Sequence, residues 1–189
     1  MRLRVLGCSG GIGGRHLRTT SFLVDNDVLI DAGTGVGDLT LAELSQIDHI
    51  CVTHSHLDHV ASIPFLVDTV GGMRTKPLIV HATRATTEIL RNHLFNWAIW
   101  PDFTEIPSPE APFLRYEELE LGGSLELGAT DGRGRLFVNV EDKNEVAVID
   151  TRLRKVIRRF PLKGCDGPTG IAYAPDSKYK VFWALVMAD

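Results

Sequence analysis

Cysteine is scarce in this chain and long apolar runs are missing. Cys8, Cys51 and Cys165 are the three cysteines in 189 residues. An odd number without CxxC spacing excludes a disulfide framework and fits a reducing, cytoplasmic compartment. Cys51, inside an apolar segment, reads as a small buried hydrophobe. The longest apolar run, Val181 to Ala188, is far short of the roughly 20 residues of a membrane-spanning helix. No apolar stretch of signal-peptide length precedes Cys8, so the N-terminus reads as a first strand. A surplus of basic charge is also missing. Residues 1–125 carry 9 Lys/Arg against 15 Asp/Glu, and residues 126–189 carry 11 against 9. The balances of −6 and +2 differ, yet neither is basic enough for a nucleic-acid footprint. Nucleic-acid and membrane partners are therefore not expected.

The chain is long enough for one ordinary domain, or for one domain and part of another. Residues 2 to 6 alternate and then enter the glycine-rich Gly7-Cys8-Ser9-Gly10-Gly11-Ile12-Gly13-Gly14, which must turn or lie close to other backbone. Ser21 to Val24 and Val28 to Asp31, separated by the polar Asp25-Asn26-Asp27, read as a hairpin. A short helix is predicted over Leu39 to Leu44 and a strand over Ile50 to Thr53. Residues 60 to 70 read as a helix with Pro64 near its start, where a missing amide costs little. Pro77 to Ala82 reads as a buried strand and Arg84 to Phe95 as an amphipathic helix. Alternating strands and helices predict an α/β (α+β) layered architecture.

From about Phe113 the pattern changes to short strands: Arg135 to Val140, Glu145 to Asp150, Lys155 to Phe160, Gly170 to Tyr173 and Val181 to Leu185. A faint repeat offset by 45 sets Ala129-Thr130-Asp131 against Ala174-Pro175-Asp176, and Leu136-Phe137-Val138 against Val181-Phe182-Trp183. A strand-only repeat of that length is the signature of a β-propeller blade. The expected division is residues 1–122 as one domain and residues 123–189 as a propeller-like fragment. One blade cannot close a ring, so these strands must dock on something else.

The chemistry concentrates in His54-Ser55-His56-Leu57-Asp58-His59, three imidazoles and a carboxylate directly after the apolar Ile50-Cys51-Val52. In an extended segment residues two apart point the same way, so His54 and His56 can grip one ion while Asp58 and His59 reach a second. Two ions a few ångströms apart would activate a hydroxide and stabilise an in-line displacement at phosphorus. The glycine-rich segment could shape one wall of a phosphodiester site, although it has no phosphate-loop lysine. His16 and His49 read as exposed or capping residues, and His81 and His93 as structural ones. All seven histidines lie at or before His93. Asp68, Asp102, Asp131 or Asp142 could add oxygen donors, but the sequence offers no further imidazole.

The segments Gly7-Cys8-Ser9-Gly10-Gly11, Thr20-Ser21-Phe22-Leu23-Val24, Leu29-Ile30-Asp31-Ala32-Gly33 and Thr53 to His59 together resemble the metallo-β-lactamase superfamily over residues 1 to about 121. Within it, His54 to Ile63 and His93-Leu94-Phe95-Asn96-Trp97-Ala98-Ile99-Trp100-Pro101-Asp102-Phe103 resemble the class II 3',5'-cyclic-nucleotide phosphodiesterases. The resemblance implies the N-terminal half of an αββα sandwich. It implies two Zn2+ ions, with Mn2+ or Fe as alternatives, the first on His54 and His56 and the second on Asp58 and His59. Asp58 would also orient the attacking hydroxide, making it the catalytic residue, and the substrate would be a small phosphodiester. Three further ligands of the family come from a second half that has no counterpart here. A half-sandwich leaves one sheet face uncovered, and a homodimer completing the fold is one expected remedy. Residues 131 to 172 resemble YVTN-type propeller repeats. A ribonuclease, lactonase or thioesterase of the same superfamily is the alternative activity. A non-catalytic binding or fusion protein with a remnant metal loop is the alternative class.

Overall fold

The computed structural model describes residues 2–12, 16–118, 123, 125–150, 152–153, 155–164, 166–173 and 182–186. The chain divides into two compact units, residues 1–119 and 120–189. In the first unit six strands form one sheet in sequence order: β1 (Leu3–Gly7), β2 (Ser21–Val24), β3 (Val28–Ile30), β4 (His49–Cys51), β5 (Leu78–Ala82) and β6 (Leu114–Glu118). β1, β2 and β3 are antiparallel neighbours, whereas β3 through β6 run parallel. Four helices accompany them: α1 (Leu41–Leu44), α2 (Leu57–Val60), α3 (Ile63–Val70) and α4 (Arg84–His93).

Local chemistry explains the helix starts. Thr40 accepts the Glu43 amide and Glu43 reaches back to the Thr40 amide, a capping box at the head of α1. Thr83 caps α4 by accepting from the Thr86 amide. Pro64 occupies the first turn of α3, as its position predicts. Period-two alternation places Leu29, Ile50, Leu78, Val80, Ala82 and Leu114 on one sheet face, fully buried. Ile63, Leu66, Val67, Val70, Leu90 and Phe95 meet them from the helices and loops of the same core. Each such side chain contributes about 1.5–3 kcal/mol by leaving water. The opposite face is less covered: Leu3 and Val5 are exposed and Val24, Val28, Ile30 and Ile79 half-buried.

Sequence pattern placed most of these elements; α2 stands where a loop is expected, and two strands also differ. β6 was not anticipated, because Leu114-Arg115-Tyr116-Glu117-Glu118 carries one fully buried apolar residue and an exposed end. It nevertheless extends the parallel sheet beside β5. The strand expected through Thr53 ends at Cys51. The Thr53 amide turns instead to a carboxylate of the preceding strand pair.

The second unit contains β7 (Leu125–Thr130), β8 (Arg135–Val140), β9 (Glu145–Asp150) and β10 (Lys155–Pro161) as an antiparallel sheet of order β10-β9-β8-β7. β11 (Pro168–Tyr173) and β12 (Phe182–Val186) pair separately. Alternation buries Val138, Val140 and Ala147 with Leu125 in one cluster, and Phe137, Val146, Val148 and Ile171 in another. The buried Asn139 amide donates to the Gly170 carbonyl at 2.9 Å, tying β11 to β8. Asn144, at φ 49, supplies the left-handed residue that turns β8 into β9. The propeller blade expected for residues 123–189 is not shown: the described sheets are open, and nothing indicates a ring of repeats. The repeat partners Ala174, Pro175 and Asp176 lie outside the described residues. Among the described residues no helix is long and apolar enough to cross a membrane.

One ion network tests the first unit. Asp48, just before β4, accepts from Arg74 Nη2 at 2.6 Å and from Lys76 Nζ at 2.5 Å. Burial alone would raise the Asp48 carboxyl, but hydrogen bonds from Lys76 and Arg74 outweigh burial and hold it below the usual carboxylate range. A depressed native value means the unfolded chain binds the extra proton first. This stabilisation is therefore present at neutral pH and is lost as pH falls through the native value. Asp48→Asn is expected to cost roughly 1.5 kcal/mol at neutral pH. In urea unfolding as a function of pH, the gap from the parent protein should close toward the acid limb.

Candidate active site

Parallel strands present their carboxyl ends at one edge of a sheet, where ligands bind in α/β folds. Two segments leave that edge side by side here: Asp31-Ala32-Gly33 after β3, and Val52 to His59 after β4. The Asp31 amide donates to the Cys51 carbonyl at 2.9 Å and the Val52 amide to the His81 carbonyl at 2.8 Å, extending the ladder past the strands.

Asp31 organises the site. It is 1% exposed and holds a left-handed backbone, φ 55, a conformation that aspartate tolerates better than most residues. Its Oδ1 accepts the Thr53 amide at 2.8 Å and the Thr53 hydroxyl approaches both carboxylate oxygens at 2.9–3.0 Å. Its Oδ2 meets His59 Nδ1 at 2.7 Å. The loop is then fastened along its length: the Ala32 amide donates to the His59 carbonyl, the Ser62 amide to the Ala32 carbonyl, and the Ser62 hydroxyl to the Gly33 carbonyl. A Cβ on Gly33 would lie 2.3 Å from Thr19 Oγ1 and 2.5 Å from the Asp58 carbonyl oxygen. Thr19 and Thr34 lock the approach from the other side, each hydroxyl accepting the other's amide at 2.8–3.0 Å.

The four ligand candidates are placed as follows. His54, half-buried, lies in the extended segment with Nδ1 3.1 Å from Thr53 Oγ1. Its ring is 4.6 Å from that of His56 and 4.0 Å from that of His59. Burial, and then the imidazoles of His59 and His56, hold His54 below the usual imidazole range, leaving it neutral with a lone pair available at neutral pH. His56 is exposed at the N-cap of α2 and makes no capping hydrogen bond. Asp58 and His59 stand in α2, with Asp58 Oδ2 3.3 Å from His59 Nε2. The loop therefore gathers the three imidazoles and a carboxylate, and Asp31 orients one ring from behind.

The other titratable residues are apart from this cluster. His49, predicted exposed or capping, is half-buried, with Nδ1 2.9 Å from His81 Nε2. Strand pairing puts these rings on one face, and His81 Nδ1 is 3.3 Å from Glu117. His16 and His93 are exposed. Asp102 accepts from the Thr104 amide and hydroxyl in its own turn, and Asp131 bonds Arg133 and Arg135. Gly10 and Gly11 have open space around them, whereas Gly13 and Gly14 lie outside the described residues. Asp31 stands in the family-like segment Leu29 to Gly33, and pattern alone gives it no role. The available signal was an acidic residue ending an apolar strand just before a glycine, which is poor β chemistry and good loop-anchoring chemistry.

Strand-edge histidines, backed by a buried carboxylate, thus stand at the carboxyl edge of a parallel α/β sheet. The chain matches the beta-lactamase superfamily domain over residues 26–180 and belongs to that family. The match runs past residue 121, where the resemblance of the sequence had been drawn to an end. A Yersinia pestis protein named probable 3',5'-cyclic-nucleotide phosphodiesterase is 27% identical over 173 residues, covering 76% of this chain and 48% of that protein. Ribonuclease Z of Clostridium beijerinckii is 29% identical over 123 residues, 60% of this chain and 39% of the enzyme. The chain thus spans about half or less of the length of these relatives. Unliganded yeast PDE1 superposes with a TM-score of 0.52 at 13% identity, over 87% of this chain and 67% of that structure, a likeness of fold. None of these likenesses shows a propeller fusion.

The superfamily usually binds metals such as zinc, and the loop was tested for that role. Donor chemistry fits: His59 and His54 each have Nδ1 at an oxygen partner and Nε2 on the other side of the ring, the arrangement that outer-shell bonds give to metal-ligating histidines. Donor number does not reach a complete site. Among the described residues, no group of three or more His, Cys, Asp or Glu is placed to hold a metal ion. The expected pairing of His54 with His56 and of Asp58 with His59 supplies two donors per ion, where zinc sites take at least three.

Removing Asp31 should show how far the loop depends on it. Asp31→Ala leaves the Thr53 amide and His59 Nδ1 without their acceptor and is expected to cost about 3 kcal/mol in chemical denaturation. An exposed-site control, Asp68→Ala, should change stability by less than about 0.5 kcal/mol.

Proposed function

We propose that this chain carries the metal-binding loop of a metal-dependent phosphodiesterase acting on 3',5'-cyclic nucleotides. The observation that carries the reading is the Asp31–His59 pair, which turns a histidine loop at a strand edge into a set of oriented lone pairs. The similarity to proteins named cyclic-nucleotide phosphodiesterase supports it at the level of distant relatives. His54 and His56 would hold one ion, and Asp58 and His59 another, with the remaining donors supplied from outside the described residues. A bound metal of this kind lowers the pKa of water and draws charge from phosphate oxygens.

The chain's own residues do the positioning. Asp31 holds His59 by Nδ1 and fixes the orientation of that ring. Thr53 does the same more weakly for His54. Asp58, partly exposed beside His59, orients an attacking water and accepts its proton, the role that makes it the catalytic residue in this reading. The substrate is a small phosphodiester, and a second copy of the chain is the partner proposed for the half-exposed outer sheet face. The propeller resemblance of residues 123–189 remains a proposal beside the family match that runs through them, as does a cytoplasmic location. Ribonuclease activity is the second reading, favoured by ribonuclease Z relatives of up to 33% identity.

Elemental analysis of the full chain, followed by an assay of 3',5'-cyclic AMP conversion to 5'-AMP with added zinc, tests the reading. His56→Ala should lose bound zinc, and Asp58→Ala should lower turnover about 100-fold. Unchanged zinc content and unchanged turnover in both variants would refute it.

A further inference from the structure

The segment His93 to Phe103 plays no part in the site described above, yet it presents the most exposed aromatic surface of the first unit. Trp97 is 61% exposed and Ile99 64%, while Phe65 is 60% and Leu57 69% exposed. Single exposed apolar residues need no explanation, but a continuous group does. Leu57 opens α2 beside the histidine loop, and Phe65 lies in the first turn of α3. Ala61 and Ser62 between the helices both have right-handed helical backbone. The Ser62 amide leaves the helical ladder for the Ala32 carbonyl, so the chain turns between α2 and α3, and Phe65 follows His59 by six residues. Trp100 then packs edge-on against Phe65, ring centroids 5.2 Å apart. The Phe65–Trp100 contact therefore joins α3, which follows the histidine loop, to the Trp97 turn.

That turn is rigid. Asn96 Oδ1 accepts the amides of Ala98 and Ile99 at 3.0 and 2.9 Å, and its Nδ2 donates to the Asn92 carbonyl at 3.0 Å. The Trp97 amide donates to the Trp100 carbonyl at 2.9 Å. These bonds hold Trp97 at φ 63, a left-handed backbone that a bulky residue rarely adopts. Such strain persists where the surroundings over-determine it, often at ligand sites. Its effect here is to aim an indole at solvent from a fixed position. Leu94 to Trp100 contains no charged residue, so the surface suits a flat uncharged ring and not a phosphate.

We propose that Trp97, held by the Asn96 turn, is a stacking platform for the nucleobase of the substrate whose phosphodiester lies at His54 to His59. The nature of this ligand rests on the phosphodiesterase reading. Stacking on an aromatic face is tolerant of base identity, so the platform serves a cyclic mononucleotide and the end of an RNA alike.

Equilibrium dialysis of the full chain in the presence of a chelator tests the platform without metal, using 5'-AMP, ribose 5-phosphate and a short single-stranded oligoadenylate. The parent protein should bind 5'-AMP at least about tenfold more tightly than ribose 5-phosphate. Trp97→Ala should remove that advantage and Trp97→Phe should retain it. An oligoadenylate bound more tightly than 5'-AMP, and weakened in the same ratio, would support the platform with RNA as the source of the base. Equal binding of 5'-AMP and ribose 5-phosphate, or a Trp97→Ala variant that binds like the parent, would overturn it. So would sedimentation showing that Trp97→Ala dissociates a dimer without changing nucleotide binding. A base preference in a chain that hydrolyses no cyclic nucleotide with zinc would overturn the phosphodiesterase reading and leave the platform standing.

Discussion

Asp31 is the constraint on which the site depends. A carboxylate almost wholly removed from water is costly unless its oxygens are engaged. Here one oxygen takes the Thr53 amide and the other takes His59, with the Thr53 hydroxyl between them. Satisfying the carboxylate and shaping the loop are therefore the same event. Ala32 and Gly33, the next two residues, carry the bonds and the close approach that hold α2 and Asp58 against this anchor. The cost of burying an acidic group is offset by a loop that cannot move without unpairing it.

The sheet makes that event possible. β3 and β4 are parallel neighbours, so the residues following each emerge at the same edge. The core beneath is aliphatic and closely buried, from Leu29 and Ile50 to Leu78 and Leu114. It fixes the strand ends to which the loop bonds attach. The opposite face of the same sheet carries half-exposed aliphatic residues and the His49–His81 pair. The two faces are thus unequally finished, and the chemistry stands at their common edge.

The site is partial in a specific sense. Orientation of the rings is complete, since Asp31 and Thr53 decide which nitrogen of His59 and of His54 faces outward. Donor number is not, because the described residues bring no third donor to either pair. Orientation is a local property of one loop and its anchor. A full metal shell requires side chains from several elements, and the matched region covers 48% and 39% of the length of the two relatives.

By itself, the amino-acid order determined the periods of the strands and helices, the histidine loop and the family. Apolar runs marked β2 to β5, Pro64 marked the start of α3, and His54 to His59 marked the chemistry, all through interactions between near neighbours in sequence. β6 stayed illegible because its pairing partner β5 is more than thirty residues away and its own pattern is weak. Tertiary structure alone decided the role of Asp31, which lies 28 residues before His59. It alone joined Trp100 to Phe65 and set the pairing of β7 to β10. Each of these is a contact between distant residues, and periodicity carries no record of which distant residues meet.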